Sequence, residues 1–300
     1  MKVILVGIPY FANKISKNLT AADNKNIYLA IDASAGLWQK VCYVWQMISA
    51  KVLYQVGGSH ICGGTLRLAM LLNKQIVMHW VGTDVLLAHK AYKAGAVDAD
   101  LIRRTKHLCE VDWIQKELLE AGIQAEIAQI ACFEDKISAA RPLPEKFSIL
   151  SYMGKGREKF YGIDQLIELA QSFPDIPIRI AGISEYSEPL PSNIHLLGWV
   201  KEMATEYHDC VLYLRLPEHD GLAFSVLEAL SYGRYVGYVY TFPGTNRVAD
   251  IGELHSLVKG MLERHSMGLL DINIDGYKFI SENYTRKKVM QTLAGMITSE

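Results

Sequence analysis

The chain has 300 residues, which corresponds to about two domains, and 50% of them are hydrophobic, too many for a disordered protein. Its 31 lysines and arginines nearly balance 32 aspartates and glutamates, so it lacks the basic excess of a nucleic-acid-binding protein. The five cysteines lie far apart with no CxxC pair, which argues against a disulfide framework or a thiolate zinc site and predicts buried, free thiols: Cys42, Cys62, Cys109, Cys132 and Cys210.

The start of the chain, Met1–Gly7, is a short strand-like apolar run and is not expected to be a signal peptide. Lys51, Gln55, Lys74 and His79 interrupt the longest apolar stretches before they reach the roughly 18 residues of a membrane span. We therefore expect a soluble, cytoplasmic protein. Peripheral contact with a membrane stays open, because a surface patch is enough for it.

Short apolar runs alternate with longer amphipathic stretches in the first half of the chain, a pattern typical of parallel βαβ units. Strands are predicted over 3–6, 27–31, 52–56, 76–78, 105–109 and 125–130. A helix over 111–121 is expected to stop at Gly122, where a left-handed cap has little cost.

Two prolines, Pro142 and Pro144, predict a domain boundary within 139–146, because each proline forces the preceding residue away from helical dihedrals. The pattern then restarts. Strands are predicted over 147–152, 178–180, 194–196, 211–214 and 235–239, and helices over 162–172, 200–208 and 224–232.

The first of two loops with candidate ligand-binding residues in the second half of the chain spans 154–162. It follows a strand, opens a helix and combines three glycines with three cations: Gly154, Gly156, Gly162, Lys155, Arg157 and Lys159. Glycines let backbone N–H groups approach a phosphate, and the cations neutralise its charge. The loop lacks the full dinucleotide-binding and P-loop patterns, so it is either a phosphate-binding loop or a solvated basic turn.

The second loop, 217–223, leads into the predicted helix over 224–232. Asp220 lies in the loop and Glu228 lies about one turn inside the helix. Gly221 permits close backbone approach, and the N–H groups of 223–226 would suit a phosphate. An acid near a helix N-terminus can also simply stabilise the helix dipole.

Four segments in order resemble the C-terminal half of the retaining glycosyltransferases of family four. They are Tyr152–Lys155, Gly162–Ala170, Leu197–Val200, and Asp220-x7-Glu228-Ala229-Leu230-x2-Gly233. The resemblance is strongest over 148–240 and implies the GT-B fold, an α/β architecture of two Rossmann-like βαβ domains facing each other across a cleft. It implies an acceptor-side domain over 1–140, a nucleotide-sugar donor domain over 147–275, and a C-terminal helix over 276–300 that packs back on the first domain.

The resemblance also implies roles for individual residues. Lys155 takes the place of a family arginine that binds the donor diphosphate, while Tyr161 stands where the family has a second cation, so Lys159 or Arg157 would supply that charge. Asp220 replaces the first glutamate of the E-x7-E motif and would bind the donor sugar. Glu228 matches the second glutamate, which holds the ribose.

Further residues are implied around the donor. Gly182, Trp199 and Val200 match regions that flank the nucleotide base. The loop and helix start that follow Asp220 complete the predicted donor site: Gly221, Leu222, Ala223, Phe224 and Ser225.

The first domain resembles the family loosely, through Gly7 and through the segment His79–Asp84. Thr83 and Asp84 match the family's Ser-Asp pair. Val81 stands where the family has a histidine, so His79, two residues earlier on the same strand face, either takes its catalytic place or is an ordinary internal histidine. A glycine-rich loop at 57–65 is either part of the acceptor site or a plain turn.

Two further patterns are discounted. Asp98-Ala99-Asp100 matches the metal-binding DxD pattern, but it lies in helical sequence and does not follow a strand. The segment 271–282 fits a calcium-loop pattern, but Lys278 occupies its usual apolar position and no second loop accompanies it. No metal and no cofactor are therefore expected.

The sequence thus predicts a metal-independent, retaining glycosyltransferase in which Asp220, His79 and Lys155 act in catalysis. Its partners would be a nucleotide-sugar donor and a sugar, lipid-linked or small-molecule acceptor, with no nucleic acid. A sugar-nucleotide epimerase, a phosphorylase of the same fold and a non-catalytic nucleotide-sugar-binding subunit are the alternatives.

Overall fold

The computed structural model describes residues 1–135, 137 and 139–299. Within them, apolar runs form strands and amphipathic stretches form the helices that cover them. The strands are β1 (Lys2–Gly7), β2 (Ile27–Ala30), β3 (Val52–Val56), β4 (Gln75–Trp80), β5 (Thr105–Cys109), β6 (Ala125–Ile127), β7 (Ile149–Tyr152), β8 (Ile178–Ala181), β9 (Ile194–Gly198), β10 (Leu212–Arg215), β11 (Tyr235–Tyr238) and β12 (Asn246–Arg247).

The helices alternate with these strands. They are α1 (Pro9–Ala22), α2 (Leu37–Ser49), α3 (Gly64–Leu71), α4 (Thr83–Lys93), α5 (Ala99–Arg104), α6 (Asp112–Glu120), α7 (Ile163–Ser172), α8 (Ala204–His208), α9 (Phe224–Ser231), α10 (Ile251–Ser266), α11 (Ile274–Asn283) and α12 (Arg286–Thr298). Among the described residues, none of these helices has the length and apolar content needed to cross a membrane.

The strands form two parallel six-stranded sheets. The first has the order β2-β1-β3-β4-β5-β6 and the second the order β12-β11-β10-β7-β8-β9. In each sheet the chain first builds outward on one side of its initial strand and then crosses to the other side. The order therefore reverses between β1 and β3 and again between β7 and β10, which are the places where ligands bind in such sheets.

The chain divides into two compact units. The first comprises Met1–Asp135 with Tyr284–Glu300, and the second comprises Lys136–Asn283. The terminal segment predicted as one helix is in fact two, α11 and α12, and they belong to different units. The helical path breaks between them because Thr285 caps α12, its side chain accepting from the Lys288 N–H.

The proline segment belongs to the second unit and is not itself the boundary. Arg234, fully buried, donates to the carbonyls of Arg141 at 2.6 Å and Pro142 at 3.1 Å. His265 Nε2 lies 2.9 Å from the Pro144 carbonyl oxygen. These contacts hold the segment against the second unit, which the sequence pattern could not reveal because the partners lie about a hundred residues away.

Three local predictions differ from the structure. β6 ends at Ile127 because its partner β5 ends at Cys109. Helix α8 begins at Ala204 instead of Val200, since the preceding residues form an irregular turn. All five cysteines are free, as predicted, but Cys42 is exposed on α2 and Cys62 is partly exposed.

Candidate functional site

The loops after β7 and β10 meet at the point where the order of the second sheet reverses. The Glu218 N–H donates to the Phe160 carbonyl at 2.9 Å, which joins the two loops directly. Gly162 has φ +82°, and a Cβ there would lie 2.7 Å from the Leu216 carbonyl oxygen. Only glycine fits this crossing without strain, so the two loops lie side by side at the carboxyl edge of the sheet.

The β7–α7 loop holds its cations in defined contacts. Lys155 Nζ donates to Glu185 at 2.9 Å and Lys159 Nζ lies 3.4 Å from Glu188, and all four side chains are exposed. The Glu185 carboxylate raises the pKa of Lys155, which stays protonated. Surface pairs of this kind have little stability, so an incoming phosphate can displace the carboxylates.

Arg157 of the same loop is placed differently. Its guanidinium lies 4.1 Å from the centroid of the Phe160 ring and 5.6 Å from that of Tyr161. It makes cation–π contacts with the aromatic rings of the loop itself, whereas the two lysines make exposed ion pairs.

Asp220 in the β10–α9 loop is not a free carboxylate. Arg215 Nε donates to it at 2.8 Å, and the two side chains are only 9% and 16% exposed. The Asp220 N–H donates to the Tyr240 hydroxyl at 3.2 Å, and the Tyr238 hydroxyl donates to the Gly221 carbonyl at 2.8 Å. Two tyrosine hydroxyls thus hold the backbone of the loop by hydrogen bonds, and a buried arginine orients the Asp220 carboxylate.

Arg215 is the residue that sequence reasoning missed. It ends β10, and its guanidinium lies 4.6 Å from the centroid of the ring of Tyr161, the residue that stands where the resemblance implied a second cation. Burial is the largest single influence and lowers the pKa of Arg215, but the charge and hydrogen bond of Asp220 and the neighbouring Tyr213 and Tyr161 together outweigh it, so the pKa is raised and the guanidinium stays ionised. The available signal was an arginine at the end of an apolar strand, five residues before a loop acid.

Helix α9 begins directly after this loop. Ala223 is its N-terminal boundary, the first turn contains no acid, and no side chain caps it among the described residues. Leu222 and Ala223 are buried, whereas Phe224 and Ser225 are partly accessible. The first turn of α9 therefore contributes no acid of its own at the positive end of the helix, an arrangement that favours an anion there.

Glu228 lies one turn into α9 and is partly buried. The Tyr207 hydroxyl donates to Glu228 Oε2 at 3.0 Å, and the Tyr213 hydroxyl donates to Ser225 Oγ at 2.8 Å. Tyr207 stacks against Tyr232 with ring centroids 5.4 Å apart. These contacts fix the Glu228 carboxylate on the same helix that follows Asp220.

The residues predicted to flank the base lie at the ends of β8 and β9. Gly182 has φ +97°, and a Cβ there would lie 2.1 Å from the Met153 carbonyl oxygen, so glycine is needed for the ends of β7 and β8 to approach each other. Trp199 is 82% exposed and Val200 is partly exposed. Trp199 thus offers an open ring face on which a planar base could stack.

In the first unit, Asp84 joins two loops at the carboxyl edge of the sheet. Its carboxylate accepts from the N–H groups of Val81, Gly82 and Val85 at 2.8–3.2 Å and also from the Gly58 N–H. Thr83 beside it is exposed at the start of α4. The glycine-rich loop after β3 is therefore fixed by Asp84.

Gly7 has a structural reason for being glycine. It ends β1 with φ +105°, and a Cβ there would lie 1.9 Å from the Val56 carbonyl oxygen. The close approach of β1 and β3 marks the reversal point of the first sheet, next to the loop that Asp84 holds.

His79 lies inside the first sheet and is fully buried. Its Nδ1 is 2.8 Å from the Tyr54 hydroxyl, and burial lowers its pKa to about 3, so the imidazole is neutral. Glu110 is also buried, accepts from the N–H groups of Ile130 and Ala131, and has its pKa raised to about 7 by burial. This environment favours the internal-histidine alternative for His79 over contact with substrate.

The two discounted patterns have structural explanations. Asp98 caps α5 by accepting from the N–H groups of Asp100 and Leu101, and Asp100 pairs with Arg103 at 2.6 Å. Asn273, within the calcium-like pattern, is turned inward and donates to the Gly244 carbonyl at 2.8 Å. In the part of the chain that the structure describes, no cluster of three or more His, Cys, Asp or Glu side chains is arranged to hold a metal ion.

No protein-family model and no curated protein sequence matches this chain. Solved structures do resemble it. A glycosyltransferase from Rickettsia africae is 10% identical with a TM-score of 0.73, covering 99% of this chain and 97% of its own. Sucrose-phosphate synthase from Thermosynechococcus elongatus is 9% identical with a TM-score of 0.72, covering 99% and 98%. A UDP-GlcNAc 2-epimerase from Neisseria meningitidis, bound to UDP-GlcNAc, is 13% identical with a TM-score of 0.53, covering 98% of each chain.

At these identities the likeness concerns the fold. The two units have the Rossmann-like domains of the GT-B class, with one parallel sheet each, as the sequence predicted. The predicted fold class, two Rossmann-like α/β domains of the GT-B type, is therefore confirmed.

Proposed function

We propose that the protein is a glycosyltransferase that moves a sugar from a nucleotide-sugar donor to an acceptor with retention of configuration. One observation carries the proposal: the cationic β7–α7 loop and the acid-bearing β10–α9 loop are joined at the reversal point of the second sheet by the Glu218-to-Phe160 hydrogen bond. Glycosyltransferases of known structure share this fold, which is consistent with sugar transfer.

The parts of this site suit a leaving diphosphate. When the bond between the sugar and the diphosphate breaks, negative charge accumulates on the phosphate oxygens. Lys155 and Lys159, the Arg215 guanidinium and the positive end of α9 can stabilise that charge, and each interaction strengthens as the charge grows. Asp220, oriented by Arg215, would bind the sugar hydroxyls, and Glu228, held by Tyr207, would bind the ribose.

Metal independence is part of the proposal. The stabilisation of the diphosphate is assigned to protein cations, so activity should persist in EDTA at the same rate. Complete loss that manganese or magnesium restores would contradict this assignment.

A sugar-nucleotide epimerase is the second candidate, because an epimerase shares the fold and its structure contains UDP-GlcNAc. A panel of nucleoside diphosphates and sugar nucleotides in a thermal-shift assay identifies the donor, since a ligand at a hundred times its Kd adds about 2.7 kcal/mol of stability.

Product analysis with that donor then separates the candidates. A transferase forms a glycoside with the donor's anomeric configuration, which NMR coupling constants report. An epimerase changes the donor sugar without an acceptor, a phosphorylase requires free phosphate, and a binding subunit forms no product; any of these three results would contradict the proposal.

A further inference from the structure

Helix α2 of the first unit turns an apolar face to solvent. Of its 13 residues, Tyr43 and Met47 are the two that are buried. Six large apolar side chains on it are between 47% and 83% exposed: Leu37, Trp38, Val41, Val44, Trp45 and Ile48. We call these six residues the α2 face.

The α2 face is continuous. At about 100° of rotation per residue, its six members fall within about one third of the helix circumference, away from the side that carries Tyr43 and Met47. A surface helix normally turns its polar side to solvent, whereas α2 exposes this apolar face as well. A contiguous exposed apolar surface of this kind marks an interaction site.

The segment around α2 is poor in acids, and Asp32, which accepts from the Ser34 N–H, is the last one before the helix. Between Ala33 and Thr83 the sequence contains no aspartate or glutamate, although the whole chain has a net charge of −1. The cations in that stretch are Lys40, Lys51, Arg67 and Lys74.

Two lysines lie at the C-terminal end of α2. Lys74 Nζ donates to the Ile48 carbonyl at 3.0 Å, and Lys2 Nζ donates to Ser49 Oγ at 2.8 Å. The apolar surface is therefore bordered by positive charge that no acid of α2 offsets.

We propose that the α2 face docks on a lipid bilayer that contains anionic lipids. Exposed tryptophans such as Trp38 and Trp45 are suited to the region between headgroups and acyl chains, and an amphipathic helix lying flat there buries its apolar side. The bordering lysines are attracted to anionic headgroups. A second copy of this chain is the weaker fit, because it would bring the same uncompensated positive charge to the contact.

The position of α2 in the fold is consistent with a role near the acceptor. The helix follows β2, so its N-terminal end lies at the carboxyl edge of the first sheet, the edge that also holds the loop fixed by Asp84. Docking there would bring this edge to the membrane. The inference itself does not depend on sugar transfer and is tested without a donor.

The experiment is vesicle flotation of the full chain. Vesicles of phosphatidylcholine with about one third phosphatidylglycerol should retain the protein, whereas phosphatidylcholine alone should retain much less, and about 0.5 M NaCl should weaken binding to the anionic vesicles. The variant Trp38→Ser/Trp45→Ser should lower the partition coefficient for anionic vesicles about tenfold or more.

The control variant is Met267→Ser/Leu269→Ser, which removes side chains that are 70% and 66% exposed on the second unit. It should bind vesicles as the unchanged protein does. Circular dichroism melting should be the same for all three proteins, because every substituted side chain is exposed.

Three results would overturn the inference. They are no retention by anionic vesicles, equal retention of the Trp38→Ser/Trp45→Ser variant, and a dimer in analytical ultracentrifugation that this variant alone abolishes. The last result would assign the α2 face to a second copy of the chain.

Discussion

At the scale of single residues, the candidate donor site depends on how Asp220 is held. A carboxylate that accepts from a buried guanidinium has a fixed direction, which a positioned sugar requires. The same contact means that removing Asp220 entirely would leave Arg215 buried without its partner, at a cost of several kcal/mol. Tests of function at this position therefore need substitutions that keep the shape of the side chain.

Asp220→Asn and Glu228→Gln should separate the two assigned roles. Glu228→Gln removes charge from a ribose contact that is present before and during reaction, so it should weaken nucleoside diphosphate binding by about 1.5 to 3 kcal/mol. Asp220→Asn keeps an oxygen that can accept from Arg215, so it should weaken that binding less than Glu228→Gln does, and it should lower turnover more, because the sugar moves most at the transition state. Titration calorimetry and kcat measure the two effects.

Glu168→Gln, on the exposed side of α7, is the control for loss of one negative charge and should change neither quantity. Equal losses of nucleoside diphosphate affinity for Asp220→Asn and Glu228→Gln would contradict the two roles.

Arg215 should bind the diphosphate in place of the cation that Tyr161 displaces. Arg215→Met should weaken the nucleoside diphosphate by about 1.5 to 3 kcal/mol, whereas Arg215→Lys should retain part of the affinity because the charge remains. The matching nucleoside, which lacks phosphates, is the internal control and should bind all three proteins equally. A parallel loss of nucleoside affinity would mean that Arg215 supports the fold of the loop instead.

At the scale of secondary-structure elements, loops at the carboxyl edges are held by a few polar side chains. Asp84 satisfies four backbone N–H groups and ties the loop after β3 to the start of α4. Asp100 is also an acid near a helix N-terminus, but it forms only exposed pairs with Arg103 and Arg104. The two aspartates thus provide a matched comparison within one unit.

Asp84→Ala should lower the free energy of unfolding by about 2 to 3 kcal/mol, since it leaves several partly buried N–H groups without an acceptor. Asp100→Ala should change it by less than about 0.5 kcal/mol, as exposed ion pairs contribute little. Urea denaturation monitored by circular dichroism measures both. Similar values for the two variants would show that Asp84 does not hold the loops.

At the scale of the whole molecule, stability should depend on pH through Glu110. Burial raises its pKa to about 7, against 4.5 for an unperturbed glutamate. Between these values the folded protein holds a proton that the unfolded chain has released, so the free energy of unfolding falls as the pH rises through this window, by about 3 kcal/mol at most. Above pH 7 the Glu110 carboxylate is charged while still buried, so the lower free energy of unfolding persists at higher pH.

Glu110→Gln removes this titration while an oxygen remains to accept from the Ile130 and Ala131 N–H groups. The variant should gain stability relative to the unchanged protein as the pH rises from 5 to about 8, which thermal melts at each pH record. His79 contributes the opposite slope below pH 6.5, since burial lowers its pKa to about 3, but it is present in both proteins and cancels in the difference.

Glu120→Gln is the control, on the exposed C-terminal end of α6. It should show no pH-dependent difference from the unchanged protein. A Glu110→Gln difference that stays flat with pH would contradict the raised pKa.

The sequence by itself determined the two parallel sheets, because strand alternation, apolar runs and glycine caps such as Gly122 depend only on local periodicity and backbone freedom. It also placed the cationic loop correctly after β7 and the acid-bearing loop correctly after β10. Tertiary structure alone decided what those side chains contact: that Arg215 meets Asp220 and Tyr161, and that Arg234 draws the proline segment onto the second unit.

The same division applies to exposure. The amphipathic stretch between β2 and β3 forms α2, but a local pattern cannot say which of its apolar side chains face the sheet. In the structure Tyr43 and Met47 face inward, while Trp38 and Trp45 are exposed. The sequence likewise allows His79 to be either a catalytic or an internal histidine, and only its burial in the folded structure distinguishes the two. Contacts between residues far apart in the chain depend on packing, which no local pattern encodes, so only the folded structure decides them.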